Sequence, residues 1–303
     1  MGKVLDFQPY FGWDIVHDVQ ELFHYAFMQH AFEAGTIVAV SAGVIGYFVV
    51  LRGLSFAAHA LSHIGFAGAT GGVLLGAAPI IGLLAFTSAA GMVMGALGQR
   101  LRGRDVTIGL VMAWSLGLGL LFTRLYQGSA SLAIGILFGQ IFGITIQEVY
   151  VTLAAGTLTV LALVAIYRPL LFASLDEEVA EAKGVPVRAL SIVFMVILAI
   201  AVSEAVQAVG VLLIFALIVA PAAIAERFTT RPSRGLLLSA ALAVVFTWAG
   251  LAIAYYIPYP VGFFISTIAF WCYIVARVVS GLTVRRATVR LRSWRDEQVR
   301  HSP

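Results

Sequence analysis

The chain has 303 residues, 61% hydrophobic and 11% charged, with a formal net charge of +4 and a mean hydropathy of +0.98. That balance excludes a soluble domain and reads as a polytopic membrane protein. A single cysteine, Cys272, excludes both a disulfide framework and a thiolate metal cluster. The basic residues lie in short segments between apolar runs, where membrane topology accounts for them without nucleic acid.

Residues 1–30 are the polar exception and are expected to form an extracytoplasmic segment. Asp14, His17, Asp18, Glu21 and His24 stand among Trp13, Phe23 and Tyr25, with His17, Glu21 and His24 at helical spacing. This pattern fits an amphipathic lead-in with a solvated face, or a weak cation-attracting patch at the mouth of a pathway. It lacks the basic start, apolar core and cleavage site of a signal peptide.

Nine apolar segments follow that are long enough, or nearly so, to cross about 30 Å of hydrocarbon. They are 31–51, 54–76, 79–98, 106–126, 149–167, 189–207, 209–226, 235–257 and 261–280. Only Gln207, Ala208 and their neighbours separate the sixth from the seventh, so eight is the alternative count. Between Gln127 and Glu148 the run SLAIGILFGQIFGIT is short and glycine-punctuated, which predicts a half-helix or re-entrant piece packed against protein. The expected fold class is therefore all-α, a polytopic integral membrane protein of 8–9 transmembrane helices. Residues 31–280 would form the membrane domain and 281–303 a basic cytoplasmic tail.

The second segment carries the main chemical signal, because LRGLSFAAHALSHIGFAGATGG (Leu51–Gly72) places His59 and His63 in an apolar stretch. Four residues apart, the imidazoles share one helix face and make a candidate ligand pair for a transition metal. An ionisable side chain at membrane depth costs a few kcal/mol unless something offsets it. Gly68, Gly72 and Gly76, at four-residue steps, predict a close neighbouring helix. The spacing also matches the two histidines of His-Glu-x-x-His, but Ala60 occupies the general-base position, which argues against a hydrolase.

The segment RPLLFASLDEEVAEAKGVPVR differs from the other connections. Asp176, Glu177 and Glu178 follow Ser174 as a first helical turn, and Gly184 with Pro186 makes a stop, which predicts a short amphipathic helix outside the membrane. Such a helix is either a solvated connector or a docking element. Glu33 and Glu204 are candidates for an entrance or gate, with snorkelling to the headgroups the competing fate for Glu204. Glu226 and Arg227 are expected to pair at a helix end.

With the first span running inward, every basic residue except Lys3 and Arg124 falls on the cytoplasmic side. The amino terminus is then extracytoplasmic and the carboxyl terminus cytoplasmic. No Gly-x-x-x-x-Gly-Lys-Ser/Thr loop occurs, and the only lysines are Lys3 and Lys183, so any ATP hydrolysis that drives this chain occurs on another one.

Three stretches together resemble one family: GYFVVLRGLSFAAHALSH (Gly46–His63), LDEEVAEAKGVP (Leu175–Pro186) and VGVLLIFALIVAPAAIAERF (Val209–Phe228). They resemble the metal-ion permease subunits of bacterial ATP-binding-cassette importers, the zinc, manganese and iron class. The resemblance runs from FMQHAF at Phe27 to about Ser280.

It implies a cell-membrane permease for a divalent metal with no permanently bound cofactor. It also implies a second permease copy in a homodimer, an extracytoplasmic metal-binding protein, and cytoplasmic ATPase subunits. The ATPase would dock on Asp176, Glu177, Glu178, Glu181, Ala182 and Gly184. Many members similar to this chain carry an aspartate where His59 stands. An imidazole there makes the ligand set softer and less anionic, so zinc is expected first and manganese next. The alternatives are an ATP-independent secondary cation transporter, which would not need the docking helix, and a membrane-embedded metalloenzyme, which the missing general base disfavours.

Overall fold

The computed structural model describes residues 20–97, 104–126, 135–257 and 259–300, with the backbone alone for Leu212 and residues 282–300. Asp14, His17, Asp18, Arg100, Arg102 and most of the 1–30 lead-in lie outside the described residues, as do the side chains of the basic tail.

Among the described residues, nine long helices occupy the nine places read from hydropathy. They are α1 (Ala26–Leu51), α2 (Ser55–Leu74), α3 (Pro79–Leu97), α4 (Arg104–Leu125), α5 (Ile146–Leu175), α7 (Val187–Val209), α8 (Val211–Phe228), α9 (Pro232–Tyr256) and α10 (Val261–Arg300). A short α6 (Glu177–Ala182) lies between α5 and α7. Helices α1, α3, α4, α5, α7, α9 and the Val261–Gly281 part of α10 are each long and apolar enough to cross a membrane. No strand occurs among the described residues.

The weakest boundary resolves into two helices because a single residue, Gly210 at φ 83°, turns the chain between α7 and α8. The expected half-helix is a helical turn at residues 135–138, followed by a 3-10 turn at Ile141–Gly143. A capping box then opens α5, with the Thr145 side chain accepting from the Glu148 amide and the Glu148 carboxylate accepting from the Thr145 amide. Helix α5 continues well beyond the predicted 149–167. Pro169 does not end it, so the 168–175 stretch expected in a loop is helical.

Helices α1 and α7 form the enclosed centre, whereas α4 and α10 lie at the periphery and present Leu110, Trp114, Phe270 and Trp271 outward. Outward apolar side chains suit a helix that meets lipid, and backbone groups satisfied within each helix suit hydrocarbon. Between helices, Ser239 Oγ donates to the Gly43 carbonyl at 2.7 Å and Trp248 Nε1 donates to Thr36 Oγ1 at 2.8 Å. Thr87 and Ser203 hydroxyls pair at 2.7 Å between α3 and α7. Each such bond contributes about 0.6 kcal/mol in a membrane, so close packing has to supply most of the association.

That packing is close between α2 and α3. A Cβ on Gly68 would meet the Gly82 backbone and the Phe86 side chain, and one on Gly82 would meet the backbone of Gly68 and Gly72. The predicted small-residue face is thus real for Gly68 and Gly72. Gly76 is a correction: it lies past the end of α2 at φ 75° with open space around it, and serves the turn into α3.

Candidate functional site

Helix α2 starts at Ser55, after a three-residue turn from α1, and places His59 in its second turn and His63 one turn further. The two imidazoles meet edge to face with ring centroids 4.6 Å apart, and Phe215 of α8 closes against His59 at 4.9 Å. Both rings are half-buried, and both Nδ1 atoms are buried without a hydrogen-bond partner. Ordinary structural histidines bond a carbonyl or hydroxyl through that atom. Here the neighbouring hydroxyl, Ser62, turns to the His59 carbonyl at 2.7 Å.

The pair could offer two nitrogen ligands to a metal. Among the described residues, no group of three or more histidine, cysteine, aspartate or glutamate side chains comes together to hold a metal. Ala60 is fully buried in the core, so the general-base position of a zinc hydrolase is packing.

The acidic candidates separate. Glu204 does not snorkel: it is 3% exposed in the centre of the bundle, accepting from Ser41 Oγ of α1 at 3.4 Å through Oε1 while Oε2 has no hydrogen-bond partner. Its carboxylate occupies the space left by Gly156 of α5, where a Cβ would stand 2.9 Å from Oε1. Hydropathy places Glu204 near a helix end, but α7 is enclosed over most of its length, so the side chain cannot reach a headgroup region. Glu33 is exposed on α1 and, among the described residues, belongs to no group of three or more acid, imidazole or thiol side chains. Residues 20–22 are helical and a turn follows at 23–25, so Glu21 and His24 do not share a continuous helix. Glu21 instead accepts from the Tyr255 hydroxyl at 3.4 Å.

Arg227 does not pair with Glu226 as expected. Its guanidinium reaches the Tyr273 and Ser280 hydroxyls of α10, at 3.3 and 3.4 Å.

The predicted short helix outside the apolar segments is present as α6, shifted by one signal. Asp176, not Ser174, caps it, accepting from the Val179 amide at 2.9 Å, while Ser174 belongs to α5 and donates to the Leu170 carbonyl. Gly184 adopts φ 85° and donates its amide to Glu181, and the Val185 amide returns to Ala180, which makes the stop. Ala180 is fully buried against the body, whereas Leu175 and Val179 are 65% and 44% exposed beside the acids. Sequence reasoning missed Phe215, whose place against His59 no local pattern signals, and it read Arg52 only as a topology marker.

Among the described residues, the nine long helices around an enclosed centre, the half-buried imidazole pair on one of them and the capped amphipathic helix beyond the apolar segments define a multi-pass membrane protein of the transport class. The chain belongs to the ABC 3 transport family, whose sequence profile matches residues 24–280. It is 30% identical over 232 residues to the manganese transport system membrane protein MntC of Halalkalibacterium halodurans, covering 76% of this chain and 80% of that one. It is also 30% identical over 249 residues to the manganese import system permease protein ScaB of Streptococcus parasanguinis, covering 82% and 89%. Among solved structures it is similar to PsaBC from Streptococcus pneumoniae in complex with Fab, with a TM-score of 0.77, 28% identity and coverage of 86% and 95%. These findings bear out the resemblance and the all-α membrane fold. Both named relatives are manganese proteins, so placing zinc before manganese gains no support from them.

Proposed function

We propose that this chain is the membrane permease of an ATP-binding-cassette importer that passes a divalent transition metal, manganese first, through a transient site containing His59 and His63. The observation that carries the reading is the imidazole pair itself, with both Nδ1 atoms buried and unpartnered in a chain related to manganese permeases. Two neutral ligands are fewer than the four of a closed structural site, which suits cargo that must leave again. A second copy of the chain would bring a second pair, and water would complete the shell. Zinc is the second reading, favoured by His59 in place of the carboxylate common in similar chains, because imidazole is the softer ligand.

ATP would be hydrolysed on separate cytoplasmic subunits that grip α6 through Asp176, Glu177, Glu178, Glu181, Ala182 and Gly184. An extracytoplasmic binding protein would deliver the metal, with the amino terminus on that side. The exposed Leu175 and Val179 support docking, since apolar surface beside a row of acids outside the spans needs a cover.

Uptake of radioactive manganese and zinc into vesicles carrying the complex, with and without the ATPase, tests the reading. ATP-dependent manganese uptake with zinc as competitor is the expected result, and His59→Asp should shift the preference toward manganese by about 5-fold, under 1.4 kcal/mol. Uptake without any ATPase would establish a secondary transporter in its place. For docking, Gly184→Val is the test. Nothing lies within 4 Å of an added Cβ, so the substitution acts through left-handed backbone strain of about 1–2 kcal/mol. The chain should still fold, and co-purification of the ATPase and ATP-driven uptake should both fall. Unchanged assembly and uptake would remove the docking assignment.

A further inference from the structure

We propose that Arg52 is the positioning residue that links the docking helix α6 to the histidine pair, an inference that rests on the importer reading above. Arg52 caps α1, donating its amide to the Phe48 carbonyl at 3.0 Å, and it is only 9% exposed. Its Nη2 donates to Ser191 Oγ, in the first turns of α7, at 2.7 Å. The guanidinium also stands over the Phe194 ring, 5.5 Å from its centroid. The Glu177 carboxylate of α6 attracts it and Arg104 of α4 opposes it. One side chain therefore sits at the end of α1, bonds the start of α7 and feels the charge at the first residue of the docking helix.

A buried charge is costly unless partners compensate it, and well-packed apolar residues would hold three elements together as well or better. An arginine is warranted when the contact has to respond to charge and direction. Its planar guanidinium bonds Ser191 through Nη2 while its carbon lies over the Phe194 ring, an arrangement that a lysine cannot reproduce. Shifting Glu177 on docking would change the charge felt by a group that Ser191 and Phe194 hold in place.

What moves with it is α2. The turn from α1 is closed by the Gly53 amide on Val50 at 3.0 Å and the Leu54 amide on Val49 at 2.8 Å, with Gly53 at φ 65°. A turn so short and so fully bonded transmits displacement instead of absorbing it. His59 lies seven residues beyond Arg52, about 10 Å along the chain at helical rise. Displacement at the guanidinium thus becomes tilt at the start of α2, and tilt of α2 resets the imidazoles against Phe215.

The test uses the full complex with its ATPase in vesicles and reads manganese moved per ATP hydrolysed, which a merely structural contact would not change in a folded variant. Arg52→Gln should lower that ratio by at least about 5-fold, the lower end of ordinary coupling between sites. Glu177→Gln should act in the same direction, and the double variant should be no worse than Arg52→Gln alone, because both remove one link. Ser191→Ala should give a smaller loss and Arg52→Lys an intermediate one. If Arg52→Gln fails to assemble, the Arg52→Lys and Glu177→Gln pair decides by the same non-additivity. Ratios equal to the parent's in folded variants, or losses that multiply independently, overturn the proposal. A parent complex with no ATP-driven uptake overturns the importer reading instead.

Discussion

His63→Ala should abolish metal uptake while leaving the protein folded. The alanine removes one of the two proposed ligands, and because changes even to groups behind a metal ligand cost about 10–100-fold, the loss of a ligand itself should reach about 100-fold or more. The structural cost is small in comparison. His63 is half-buried and its packing partner is the edge of His59, a contact of about 0.5–1.5 kcal/mol, while alanine favours the helix. The apparent melting temperature should fall by a few degrees at most, and the ATPase should still co-purify. His24→Ala is the control, since that imidazole is exposed in the lead-in and meets Tyr25 edge to face. Uptake that survives His63→Ala would make the pair a packing feature and move the pathway elsewhere.

The helix positions were legible because a run of some twenty apolar residues has few structures open to it, and the spacing of His59 and His63 fixes their common face whatever surrounds them. The stop at Gly184 was legible for the same reason: a glycine before Val-Pro has a backbone meaning that tertiary context rarely overrides. Glu204 was not legible, because lipid-facing and protein-facing helices are both apolar. Hydropathy therefore cannot say whether a lone carboxylate finds headgroups or the interior. Its true surroundings depend on Gly156 and Ser41, 48 and 163 positions away in the chain. The length of α5 was misjudged because Arg168 and Pro169 signal an end locally. The helix nonetheless continues to Leu175, where Leu170 and Ala173 bury themselves against the bundle. Phe215 belongs with Glu204: its role is defined by what it faces, and facing is a property of the assembled bundle.

Gly82→Leu should destabilise the fold more than any substitution at the histidine pair. Helices within hydrocarbon gain nothing from hiding apolar surface, since lipid is as apolar as leucine, so α2 and α3 associate through the close backbone approach that small residues permit. At Gly82 an added Cβ falls on the Gly68 carbonyl and within 2.9 Å of Gly72 Cα, and neither can swing aside as a side-chain tip would. Relief requires the two helices to separate, which also loosens the Thr87 to Ser203 bond that ties α3 to α7. Overpacking of this kind costs about 1–3 kcal/mol when the surroundings yield, and backbone-on-backbone contact belongs at or above the top of that range. Gly117→Leu provides the comparison, since that position on α4 has open space within 4 Å and the same side chain is added. In detergent the Gly82→Leu protein should melt well below the parent, and any that folds should have lost uptake through the displaced face of α2, while Gly117→Leu should melt with the parent. Equal melting of Gly82→Leu and parent would show that α2 and α3 are not held by that contact, and the placement of His59 and His63 would then need another support.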